Sequence, residues 1–141
     1  MLKKISYILL FIIIAFLMRL YNLGLNSQKM SPTSLKENSS TLMKCTSELN
    51  CVKSSILTQE NKIQNIVKVL ASKPQYKVVK VEKNYLYFTD QSSIFGFVDD
   101  VEFLYEENLK KLHYKSSSRV GKSDLGANKK RIDRILQQIG L

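Results

Sequence analysis

Asp99, Asp100 and Glu102 stand in one short run, and Arg119, Ser123, Asp124, Asn128 and Arg131 follow later in the chain. Carboxylates and guanidinium groups in this order support several kinds of site. Mutual pairing would give a buried salt-bridge network fixing one corner of the fold. Arg119 beside the start of a helix would suit a small anion or a protein partner, because free N–H groups and the helix dipole favour negative charge. Asp99, Asp100 and Glu102 could hold a divalent cation, but strand alternation splits them across two faces and calcium-loop spacing is absent, so no metal site is assigned. A hydrolase-like enzyme would need two such groups with separated pKa values in a cleft. No nucleophile elbow, phosphate-binding glycine loop or metalloprotease motif is present. His113 and the Ser116–Ser118 hydroxyls carry no mark of activation. The reading preferred is a binding module, with no residue assigned to catalysis and no cofactor.

Those residues must be positioned by a β-element. Period-two alternation puts Phe95, Phe97, Asp99, Val101, Phe103 and Tyr105 on one strand face, with Val98, Asp100, Glu102 and Leu104 on the other. Asp99 then lies among aromatics, where an unpaired carboxylate is costly. Either a bulge turns it outward or a cation meets it, with Arg119 the first expected partner and Arg131 the second.

The remaining elements follow from pattern. Thr58 is placed to cap a helix with Ile63, Ile66, Val67 and Leu70 on one face, ended by Pro74. Tyr76–Val81 and Tyr85–Thr89 read as a hairpin, Ile94–Tyr105 as a third strand and Leu109–Val120 as a fourth. Ser123-Asp124 opens a last helix bearing Ile132, Ile135, Leu136 and Ile139, finished near Gly140. The fold class is α+β, in the order α-β-β-β-β-α, with an antiparallel four-stranded sheet and helices on one face.

Of 141 residues, 44% are hydrophobic and 24% charged, which excludes wholesale disorder and a multi-span membrane protein. The net charge of +10 is uneven: residues 81–109 are acidic and residues 110–141 strongly basic. No helix-turn-helix, zinc-finger or RNP-type motif turns that basicity into nucleic-acid binding. Lys3 and Lys4 precede the apolar run Ile5–Met18, and residues 1–25 read as an anchor or export signal, an uncleaved anchor being preferred to a removed signal peptide. Residues 5–25 thus meet the membrane, with the N-terminus cytoplasmic and the rest outside. Residues 26–43 read as a flexible tether and 44–141 as the folded domain. Outside the cell, Cys45 and Cys51 are expected to pair as a disulfide, a redox-active pair being the alternative.

Asn50-Cys51-Val52-Lys53-Ser54-Ser55, Phe97–Phe103 with its Asp99-Asp100-Val101-Glu102 centre, and Ser118–Arg131 occur in that order. Together they resemble the domain-of-unknown-function-1499 family over about Lys44 to Ile139. The resemblance implies a small bacterial or plastid protein with an N-terminal export or membrane segment and no established reaction. It maps family positions onto Cys45, Cys51, Asp99, Asp100, Glu102, Arg119, Asp124, Asn128 and Arg131. Lys115 stands where the family often has arginine. The acidic and basic motifs are thereby expected to act as one unit in an exported, envelope-associated domain.

Overall fold

A computed structural model describes residues 2–32 and 41–141. It contains α1 (Leu2–Lys29), β1 (Cys51–Leu57), α2 (Ile63–Ala71), β2 (Tyr76–Val81), β3 (Tyr85–Gln91), β4 (Val98–Glu106), β5 (Lys111–Ser118) and α3 (Ala127–Gln138). The five strands form one antiparallel sheet in the order β1-β5-β4-β3-β2. The class is α+β, as the pattern predicts, but the sheet has five strands and not four. The extra one, β1, is an edge strand whose partly buried Val52 and Ile56 stand among Lys53, Ser54 and Ser55. That composition hides it from a search for β-rich runs.

One face of the sheet carries the hydrophobic core. Ile63, Ile66 and Leu70 of α2 and Ile132, Ile135 and Leu136 of α3 pack against Leu86, Phe88, Val101, Phe103 and Leu112. Each such side chain stabilises by about 1.5–3 kcal/mol when fully buried, so this layer supplies the main folding force. The opposite face is polar, with Tyr85, Tyr87, Asp100, Glu102 and Lys115 buried on it and Leu42 packed against the two tyrosines and Leu104.

Three local expectations change. Thr58 does not cap α2: the N-cap position is Lys62, without a side-chain cap bond, the N–H of Ile63 donates to Asn61 Oδ1 at 2.9 Å, and the Thr58 hydroxyl donates to the Glu60 carbonyl. β4 begins at Val98, four residues later than the expected Ile94 start, because Ser92–Phe97 folds into a loop with Gly96 at φ 69°. Phe95 and Phe97 therefore leave the strand face assigned to them. Among the described residues the sheet's one register shift lies in β2, at Val78/Lys80, so no bulge turns Asp99 outward.

α1 is long and apolar enough to cross a membrane: within Lys4–Lys29 an 18-residue window reaches a mean hydropathy of 2.2. It extends through Asn26–Lys29, where a tether is expected, and its last turns belong to the folded unit. Gly24 lies so close to the Phe95 carbonyl that a Cβ would overlap it. The buried Ser27 hydroxyl accepts from the Val98 N–H at 3.0 Å and donates to the Gly24 carbonyl at 2.6 Å. Residues 33–40 of the expected tether lie outside the described residues.

Candidate functional site

Parity on β4 holds: Asp99 faces the helices, and Asp100 and Glu102 face away from them. Their partners differ from the expected ones. Asp99 Oδ2 accepts from Arg131 Nη2 at 2.5 Å, while Asp100 is held by Arg119 through Nε and Nη2, the closest contact being 2.7 Å. Arg119 thus pairs Asp100, not Asp99. Its position explains this: Asp100 lies opposite Ser117, and Arg119 continues the same alternation two residues on.

On the helix face, Arg131 joins four elements. Its Nε donates to Asp90 Oδ2 at 2.6 Å, and its Nη1 to Ser116 Oγ at 2.8 Å and Asn128 Oδ1 at 2.6 Å. Burial opposes the charge on Arg131, and Asp99 and Asp90 more than offset it, raising its pKa. Asn128 in turn donates to the Asn50 carbonyl and Ser118 Oγ, each at 3.0 Å. Asp124 accepts from the N–H groups of Gly126 and Asn128, both at 2.9 Å, which caps the start of α3. Burial alone would raise the Asp124 pKa; those N–H groups reverse it and hold the carboxyl below the usual aspartate range. The Ser123 hydroxyl accepts from the Leu125 N–H at 3.3 Å in the same turn.

On the other face, Arg119 Nη1 donates to the Met30 carbonyl at 2.9 Å and Nη2 to Tyr87 Oη at 3.3 Å. Tyr87 donates to Asp100 at 2.7 Å, and Tyr85 to Glu102 Oε1 at 2.6 Å. Hydrogen bonding to Asp100 raises the Arg119 pKa further. Burial pushes the Lys115 ammonium below the usual lysine range, with Glu102 across the strand pair opposing that shift. Glu102 Oε2 is buried without a hydrogen-bond partner among the described residues. His113 bonds Glu106 at 2.8 Å on the periphery.

The eight candidate residues therefore form two assemblies, one on each side of the sheet. Asp99, Ser123, Asp124, Asn128 and Arg131 stand on the helix side; Asp100, Glu102 and Arg119 on the other. Asp90, Tyr87 and Ser116 also belong to these networks, although sequence reasoning assigns them no role. The Tyr85-Leu86-Tyr87-Phe88 alternation puts both tyrosines on one face, which is a usable signal. Among the described residues no group of three acidic, histidine or cysteine side chains is arranged to hold a metal ion.

A cleft of about 380 Å³ opens beside the helix-side assembly, between α1 and the start of α3. Leu20, Leu23, Phe97, Val120 and Leu125 form apolar walls, and Asp90, Asp99, Asp124 and Arg131 line its polar side. Three carboxylates against one guanidinium leave that side acidic on balance. Cys45 and Cys51 form a disulfide with Cα atoms 5.8 Å apart. It closes the loop whose Leu49 and Asn50 carbonyls accept from Asp124 N–H and Asn128 Nδ2, and so supports the same corner.

A family model described as a protein of unknown function, DUF1499, matches residues 26–139. The match begins at Asn26, in the last turns of α1, and ends within the C-terminal residues that follow α3. A comparison with curated proteins finds no match.

Proposed function

This chain belongs to the DUF1499 family, whose description assigns no activity, and from that premise we propose that it is a membrane-tethered, non-catalytic binding domain of the cell envelope. The observation that carries the reading is the commitment of both arginines: every guanidinium nitrogen of Arg119 and Arg131 already has a protein partner. Groups so engaged hold a shape and are poorly placed to exchange protons or grip a reacting anion. A ligand can still enter the cleft between α1 and α3. Its size falls at the lower end of ordinary small-molecule sites, and its lining is mainly apolar with a few convergent polar groups.

The acidic balance of that cleft favours an amphiphile with a hydrogen-bond-donating or cationic head over the small anion expected from Arg119. The packing of Gly24, Ser27 and Met30 into the domain supports an uncleaved anchor, because signal removal would strip those contacts. The lysines at the N-terminus support a cytoplasmic start and an external domain.

The test uses cells making the full chain. Carbonate-washed membranes should retain a protein of uncleaved mass, and protease added from outside should digest its C-terminal domain. Native mass spectrometry of the protein in mild detergent should then show a bound small amphiphile, lost in Ala127→Trp, which fills the cleft mouth. A soluble, shortened product would contradict the tether. Full-length protein free of any adduct would contradict the ligand cleft.

A further inference from the structure

Two exposed apolar side chains stand on loops beside α1. Ile94, in the β3–β4 loop, is 78% exposed, and Leu125, in the loop before α3, is 89% exposed. Leu125 takes a left-handed backbone, φ 52°, which is uncommon for a leucine. Neither residue belongs to the hydrophobic core of the sheet.

Their height along α1 gives them a use. Ile94 and Phe95 share a hollow with Leu17, Met18, Tyr21 and Asn22. Leu125 shares the cleft with Leu20 and Leu23. Both loops are thus level with Leu17–Leu23. A helix rises about 1.5 Å per residue, so a hydrocarbon core of about 30 Å takes about 20 residues. Counted from Lys4, the last charged residue before the apolar run, that span ends at about Leu23. The helix segment beside both loops therefore falls in the outer part of the bilayer and its boundary.

We infer that Ile94 and Leu125 form a second membrane contact, seating the domain on the headgroup–acyl boundary of the same bilayer that α1 crosses. The inference rests on the proposed anchoring of α1. The occupant is lipid and not a protein partner because the loops share their hollows with apolar residues of the anchor itself, Ile94 with Leu17 and Tyr21 and Leu125 with Leu20 and Leu23, while exposed Arg19 at the same level can snorkel to the headgroups. Lys122, exposed beside Leu125, adds a cation suited to anionic headgroups. Gly24 makes the geometry possible, since only a residue without Cβ lets the β3–β4 loop lie against the helix at this level. The domain would then be held at three points, with little freedom to swing on its tether.

The chain contains no tryptophan, so single tryptophans report cleanly. Ile94→Trp, Leu125→Trp, Phe11→Trp and Leu109→Trp would each be made in the full chain. Each would be reconstituted into phosphatidylcholine–phosphatidylglycerol vesicles carrying a doxyl quencher at a shallow acyl carbon or near the bilayer centre. Leu109 is an apt control: it is exposed and apolar but lies in the β4–β5 turn, at the far end of the strands from α1. The shallow label should quench the Ile94→Trp and Leu125→Trp variants, and the deep label should quench Phe11→Trp. Neither label should quench Leu109→Trp. Quenching of Phe11→Trp while either loop variant behaves like Leu109→Trp would overturn the second contact and leave the anchor standing. An unquenched Phe11→Trp would overturn the anchor and the inference together.

Discussion

Asp99 and Asp100 are neighbours in the chain and bind arginines on opposite sides of the sheet. Asp99 meets Arg131 of α3 at 2.5 Å, and Asp100 meets Arg119 beyond β5 at 2.7 Å. Strand geometry alone produces the split, since successive side chains point to opposite faces. One acidic dipeptide thereby ties the sheet to its covering helix on one side and, through Arg119 and the Met30 carbonyl, to the end of α1 on the other.

Both arginine pairs are buried, with each guanidinium side chain 8% exposed. Removing one partner leaves a charge without compensation, so Arg131→Ala and Arg119→Ala should each lower stability by about 3–5 kcal/mol. Arg131→Ala is expected to be the worse, because it strands both Asp90 and Asp99. Urea unfolding in detergent reads the difference; a midpoint unchanged by either substitution would refute the pairing.

Much of this is open to sequence reasoning, and the failures have a common cause. The apolar periods of α2 and α3 and the parity of β4 are all readable, because they depend only on local spacing. The partner of each aspartate depends on register between β4 and β5. A one-residue slip there exchanges every side chain between faces, so Arg119 could meet Asp99 or Asp100 until the turn at Glu107–Lys110 is known. Asp90 escapes for a similar reason: the β3 pattern stops at Thr89, one residue before the side chain that matters. Residues 94–97 of the Ser92–Phe97 loop read as strand because Ile94, Phe95 and Phe97 look like strand residues when their packing against α1 is not in view.

Asp124 should make stability depend on acid. Its carboxyl is held below the aspartate value of about 3.9 by the N–H groups at the start of α3. The folded state therefore binds the proton less readily than the unfolded chain, and the contribution is complete above that value and lost as pH falls through the folded one. Asp124→Asn should flatten the fall in melting temperature between about pH 4 and the folded pKa. An acid profile identical to that of the natural chain would count against the cap.

The disulfide should matter beyond its own loop. Closing so short a loop stabilises by roughly 2 kcal/mol through chain entropy. Cys45→Ser with Cys51→Ser should cost about that much and should speed hydrogen exchange at the Asp124 amide, which donates to the Leu49 carbonyl at 3.1 Å. Unaltered exchange at Asp124 would show that the loop does not brace α3.

The central claim, that the acidic and basic motifs form two separate structural pairs, is tested most directly by double-mutant cycles on unfolding free energy. Asp100→Asn with Arg119→Gln, and Asp99→Asn with Arg131→Gln, should each show coupling of about 0.5–3 kcal/mol. The crossed cycle, Asp99→Asn with Arg119→Gln, should be additive to within about 0.5 kcal/mol. Strong coupling in the crossed cycle, with weak coupling within either pair, would contradict the account and restore a single charged cluster.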